Sequence, residues 1–276
     1  MKKILLIFAV AFCFSTGSMS QTNQILKLNK GEKYQVDNKL ETTNSTEVQG
    51  QTMDSKANIS STYNIAVKEK TDNNYNLTNT ITHMVMSMSM MGQDINFDSD
   101  KKEDMDGQMG TALKEYINRP KNVVIDNTGK VISTDESDTS ATGIAKQLNL
   151  AATGYGAQLV FQALPKNPKV GASWTDSTNT DGIKRTTNYT IKSIDGNIAT
   201  VTFNGTVSTE TKMEQQGMEV STKTSGKFSG EEKVNTKTGV VQSNTTTGDA
   251  SGTVTAMGQD FPTSSKVTST TTVKAL

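Results

Sequence analysis

Cysteine, histidine and tryptophan occur once each in the 276 residues, proline four times, and aromatic residues make up 5%. The one cysteine, Cys13, lies in an apolar run near the start, so the rest of the chain holds no disulfide, thiolate metal site or cysteine nucleophile. The single His83 rules out zinc centres built from several imidazoles and leaves at most one candidate for a Ser-His-Asp relay. Charge of one sign is also lacking: 28 Lys and Arg stand against 28 Asp and Glu, with no basic run. That balance removes the electrostatic footprint needed to bind nucleic acid or an anionic membrane surface. No G-x-S-x-G, P-loop or G-x-G-x-x-G context occurs, and no aromatic-rich sugar platform accompanies the carboxylates. The expectation is a protein that is not an enzyme and uses no cofactor, with carboxylate chemistry alone left open.

What is present begins with Lys2 and Lys3, an apolar run over residues 4–14, and small residues at Ser18 and Ser20. This order predicts a signal peptide over residues 1–20, cut before Gln21. Phe12 is too bulky for the position before a lipidated cysteine, so Cys13 reads as a spacer in the leader. No later run reaches the roughly 20 apolar residues of a membrane-spanning helix. The expected destination is the periplasm or cell envelope, or beyond it.

Thr, Ser and Asn are abundant, and apolar residues come singly in alternation, the mark of antiparallel strands with one wet face. Only the Thr-rich tail over residues 263–272 lacks this order and stays open to disorder. One strand carries Tyr75, Leu77, Ile81, His83 and Val85 on one parity; from Met84 the other parity becomes apolar too. Either a bulge near Thr82 shifts the register, or both faces of that strand end are covered. Short helices are expected near 111–118 and, broken at Gly154 and Gly156, over 143–164.

The two halves resemble each other. Residues 28–34 parallel 168–174, Tyr63-Asn64-Ile65 parallels Tyr189-Thr190-Ile191, residues 126–131 recur loosely at 235–240, and 91–95 at 257–261. The predicted fold is mainly β: a duplicated antiparallel meander forming a curved or half-barrel sheet. Its first half spans 21–138, a helical connector 139–165 and a second half 166–276, in one compact domain.

Leu164-Pro165-Lys166-Asn167-Pro168-Lys169-Val170-Gly171-Ala172-Ser173-Trp174, read with the duplicated tyrosine strands and the Asp-Asn-Thr-Gly hairpin, resembles an uncharacterised family of exported Bacteroidota proteins, a domain of unknown function. The resemblance covers most of the mature chain and implies no known activity. The family's layout is similar to that of periplasmic lipoprotein carriers, whose unclosed sheet cups helices and shelters an apolar ligand, an analogy of fold only.

Three constellations could carry function. His83, alternating with Ile81 and Val85, reads as a packed or rim histidine. The acidic stretch over 98–107 fails the twelve-residue calcium-loop rule, with Met109 where a Glu is required, and reads as a solvated loop. Met84, Met86, Met88 and Met90 alternate along one strand, a weak Cu(I) alternative; adaptable apolar filler or a groove lining suits them better, and no metal is assigned. Two functions follow. In one, a curved-sheet pocket lined by Met84, Met86, Met88, Leu159, Val160 and Phe161 binds a lipid-like or peptide ligand. In the other, the chain is a structural or interaction module of the envelope whose partner is another envelope protein.

Overall fold

The computed structural model describes residues 26–48, 50–90, 93–135, 155–180, 182–215 and 218–276. Residues 1–25, with the expected leader, and residues 136–154, most of the expected connector, lie outside them.

Long strands of alternating polarity pair into a twelve-stranded antiparallel sheet. The first part holds β1 (Lys33–Val48), β2 (Gln51–Lys70), β3 (Asn74–Met90), β4 (Gln93–Asp98), β5 (Lys121–Asp126) and β6 (Val131–Thr134). The second holds β7 (Ser173–Thr180), β8 (Ile183–Asp195), β9 (Ile198–Gln215), β10 (Met218–Asn235), β11 (Val241–Ala256) and β12 (Gln259–Ala275). Among the described residues three short helices accompany them: α1 (Lys102–Asp106), α2 (Gln108–Leu113) and α3 (Tyr155–Gln158). The order across the sheet is β6-β5-β3-β2-β1-β12-β11-β10-β9-β8-β7, with β4 on the far half of β3. Among the described residues the sheet is not closed: β6 and β7 form its two ends, both far shorter than the 16 to 20 residues of the strands between β1 and β3. Short edges blunt the tendency of a sheet to add strands from other chains.

The order is five strands, one strand, five strands, and the register shows that the two fives are copies. Gly31 N–H bonds Val67 and Val67 N–H returns to Glu32; Gly171 N–H bonds Ile191 and Ile191 N–H returns to Ala172. A bulge follows each at the same place, at Lys68 in β2 and Lys192 in β8. Further on, Asp126 and Asn235 each cap their own turn through a side-chain oxygen, and each turn ends in a positive-φ glycine, Gly129 or Gly239. β1, β2, β3, β5 and β6 thus correspond to β7, β8, β9, β10 and β11. The register sets Tyr189 against Ile65 rather than Tyr63, a two-residue correction to the tyrosine match. The likeness of 91–95 to 257–261 joins non-equivalent turns, β3–β4 and β11–β12.

β12 joins the copies, pairing with β11 on one side and β1 on the other. It contains the Thr-rich tail, so disorder there is excluded. Thr263, Ser265, Val267, Ser269 and Thr271 point inward and are buried, and Asn38 and Thr46 of β1 hydrogen-bond three of those hydroxyls. Flanking strands on both sides and these three bonded hydroxyls order a segment whose composition alone would not.

The core gathers at the end of the sheet where β1 begins. Leu26, Leu28, Val160, Phe161 and Leu164 pack there on inward residues of both copies, such as Tyr34, Val67, Leu77, Val201 and Val234. The helix expected near 111–118 arrives earlier, as α2, and the acidic stretch expected as a loop folds into α1. Leu113 and Ile117 are both buried, as a helical repeat requires, but the chain leaves the helix after Leu113 to lay Ile117 beside Ile81. Of the 143–164 region, only α3 is helical among the described residues; beyond it Phe161 bridges Val240 as extended chain.

Candidate functional site

Two inward-facing regions carry side chains that could recognise something. The first lies on β3. Thr62 faces His83 while Tyr63 faces Ile81, so Thr82 is the extra residue of a bulge. The bulge selects between the two readings of this strand: Tyr75, Leu77 and Ile81 face inward before it, Met84 and Met86 after it, and His83 turns to the opposite face.

A thirty-residue excursion between β3 and β5, carrying β4, α1 and α2, covers the methionines. The equivalent connection, from Gln215 of β9 to Met218 of β10, has only two residues between the strands. The excursion is stitched down on both sides of the bulge. Ser99 exchanges two hydrogen bonds with the Met84 backbone, and Asn118 N–H reaches the Ile81 carbonyl at 2.7 Å. Gly110 lets α2 run against α1, since a Cβ there would lie 2.2 Å from the Met105 carbonyl oxygen. Beneath this cap Met84 and Met86 are buried with Phe97 and Leu113, and Met105 and Met109 pack, partly buried, against the same cluster. Met88 is half-buried. Leu159, Val160 and Phe161 belong to the same core cluster, Val160 and Phe161 fully buried, with Phe161 set edge-on to Tyr34.

His83 Nδ1 lies 3.1 Å from Asp100 Oδ2, without hydrogen-bond alignment, and the ligand atoms of His83, Asp98 and Asp100 all fall within 4.8 Å of one another. Asp100 is 71% exposed, so the contact between the excursion and β3 lies at the surface. His83→Ala should therefore change stability by less than about 1 kcal/mol in urea unfolding; a larger loss would make the pair a true anchor of the cap.

The second region is polar. Between the segment 158–162 and the sheet lies a chamber of about 50 Å³, walled by Leu159, Phe161, Phe203 and Val241 and by Arg185, Glu232, Asn244, Thr246, Ser269 and Thr271. Four strands supply one polar row, Glu232, Asn244, Thr271 and Asn38, in direct register. Asn244 donates to Glu232 Oε2 at 3.1 Å, Thr246 donates to Asn244, and Asn38 donates to both Ser269 and Thr271. Burial pushes the Glu232 carboxyl from 4.5 up to about 7, opposed by the Asn244 hydrogen bond and the Arg185 charge. Burial likewise pushes the Tyr189 phenol up, helped by Glu232 and Asp176 and opposed by Arg185. Arg185 lies over the Phe228 ring at 4.0 Å.

This chamber escapes a search for functional motifs, yet parity could have found it. Arg185 shares the inward parity of Tyr189 and Ile191, Asp176 that of Trp174, and Glu232 that of Phe228 and Val234. The raised Glu232 value has a signed consequence. From pH 4.5 to about 7 the folded chain keeps a proton that the unfolded chain has lost. This group's stabilisation is therefore fully present below that window and falls, by about 3 kcal/mol in all, as pH rises through it. Glu232→Gln should flatten that part of the pH profile in urea unfolding, with Arg185, Asp176 and Tyr189 as the remaining ionisable neighbours.

One sequence family matches this chain in two stretches, residues 72–160 and 157–241. The chain belongs to the family of unknown function DUF6263. The first stretch runs from the turn before β3 to Val160, and the second from Ala157 to the start of β11. No curated protein matches this DUF6263 chain. A structure of lipid–protein interactions in lipovitellin is similar over 90% of the chain, with a TM-score of 0.50 and 12% identity, and the chain spans 25% of that protein's length. At that identity the likeness is one of fold. An outer membrane channel from Pseudomonas putida F1 (8% identity, 91% of this chain and 98% of that one, TM-score 0.26) and the translocator domain of autotransporter NalP from Neisseria meningitidis (6%, 90% and 90%, TM-score 0.22) are more distant.

Proposed function

We propose that the protein is an exported, non-catalytic protein of the cell envelope that binds an apolar ligand, lipid-like or peptide, on the inner face of its sheet. One observation carries this reading: Met84 and Met86 from β3 share one apolar cluster with Met105 and Met109 from an excursion that the second copy lacks. Unbranched thioether side chains repack readily around irregular apolar shapes, which suits an adaptable binding surface. The fold likeness to lipovitellin supports a sheet of this kind beside lipid. The outward residues of β1 (Gln35, Asp37, Lys39, Glu41) and of β12 (Lys266, Thr268, Thr270, Lys274) face water. A bilayer-spanning barrel carries an apolar band on that side.

A second reading, a structural or interaction module, is favoured by the small size of the inner chamber. The chamber of about 50 Å³ is far below the roughly 300 Å³ of a small-molecule pocket. Native mass spectrometry of the mature protein purified from its own envelope, followed by solvent extraction, separates the two. A stoichiometric apolar adduct is the expected result; a clean apo mass would overturn the carrier reading and favour the module.

A further inference from the structure

The second copy places three ionisable side chains on its inner face, Asp176, Arg185 and Glu232, all buried. The first copy serves as an internal control. By the shared register their equivalents are Val36, Ser61 and Val123, also buried. The same strands, bulges and turns therefore assemble without charge at these positions. Burying charge is costly, and apolar replacements are often neutral or stabilising. The charges call for a reason other than folding.

Once Glu232 has lost its proton, above about pH 7, their arrangement leaves one negative charge in excess. Asp176 pairs with Thr187, which makes Arg185 its diagonal neighbour on the same face. Glu232 stands two strands away on β10, the second carboxylate for a single guanidinium. Asn244 takes up Oε2, while the buried Oε1 receives no hydrogen bond from the protein. Around the same chamber stand hydroxyl oxygens. Ser269 and Thr271 each accept one hydrogen bond from Asn38, and Thr246 gives its proton to Asn244. A hydroxyl oxygen has two lone pairs, so each retains at least one.

We propose that this chamber binds a small monovalent cation, an alkali ion or an ammonium group, with Glu232 Oε1 as the charged ligand and the hydroxyl oxygens of Thr246, Ser269 and Thr271 as neutral ones. Hard oxygen ligands select hard cations. A single surplus charge matches a monocation and falls short of the several carboxylates a divalent ion recruits. The volume of about 50 Å³ holds such an ion with a water or two. The site is separate from the methionine surface and stands or falls independently of it.

Thermal unfolding of the full mature chain above pH 7, where Glu232 is ionised, in NaCl, KCl, NH₄Cl and choline chloride at equal ionic strength tests this. The unfolding midpoint should rise with the concentration of at least one small cation relative to choline, because a ligand that binds only the folded state stabilises it by mass action. Glu232→Gln should lose that rise. Glu232→Val, carrying the residue of the equivalent position, should fold and show no response either. A response to sodium or potassium identifies a metal ion; one confined to ammonium, and repeated by methylammonium, identifies the amine of a larger ligand. The same midpoint in all four salts, or a specific rise that survives in either variant, would overturn the proposal. So would failure of both variants to fold, since Glu232 would then be a structural group.

Discussion

Met86→Asp should cost about 3 kcal/mol or more of folding stability, lowering the thermal midpoint by roughly 6 °C or more for a chain of this size. Met86 is 1% exposed and stands in register between Ile59 of β2 and Phe97 of β4. No cation lies in that row, so the new carboxylate would be desolvated without compensation or would have to stay protonated. The shorter side chain would also leave a cavity against Phe97. Two comparisons isolate the cause. Met86→Leu keeps volume and apolarity and should cost less than about 1.5 kcal/mol. Met88→Asp, at a half-buried site nearer the open end of β3, should fall between the two. Unchanged unfolding of Met86→Asp would place the stripe in water and remove the basis of the ligand-binding reading.

The sequence makes the architecture legible wherever apolar residues alternate and turns carry glycine. Strands β1 to β3 and β8 to β10, the Asp126 hairpin, and the two-residue turn at Gly196 all follow from that pattern. The bulge at Thr82 is visible as a change of parity, although sequence alone leaves two causes for it. Illegible were features decided by distant partners. The Thr-rich β12 is ordered because β1 and β11 flank it, more than 200 residues away in one case, and no local window contains that information. α2 ends at Leu113 because Ile117 is taken by Ile81, a contact that overrides helical propensity. At the candidate sites the methionine stripe announces itself by periodicity. The polar chamber depends on knowing that Glu232, Asn244, Thr271 and Asn38 form one row across four strands, and registry between separated strands is what a linear reading lacks.

Leu26→Ala should cost about 3 kcal/mol, within the range for emptying a buried leucine site, because this residue seats itself between the two copies. Its N–H bonds Asn127, the next residue's N–H bonds Thr238, and its own carbonyl accepts the Tyr75 hydroxyl. Its side chain touches both equivalent turns: a Cβ on Gly129 would lie 3.3 Å from one Leu26 methyl, and a Cβ on Gly239 would lie 2.3 Å from the other. The two turn glycines thus have a second duty beyond their positive φ of 93° and 78°: they leave room for one leucine. Gly239→Ala alone should therefore be destabilising twice over, about 1 kcal/mol for the left-handed backbone and more for the collision with Leu26. Once Leu26 has become alanine that collision is gone, and what remains is the backbone cost and a close 3.2 Å approach to the Gln162 carbonyl oxygen. In a double-mutant cycle by urea unfolding, the pair should cost less than the sum of the single changes by about 1 kcal/mol or more. Strict additivity would mean that the two residues do not share that space. The seat would then belong to the backbone hydrogen bonds alone, and the leucine would be interchangeable with any apolar residue.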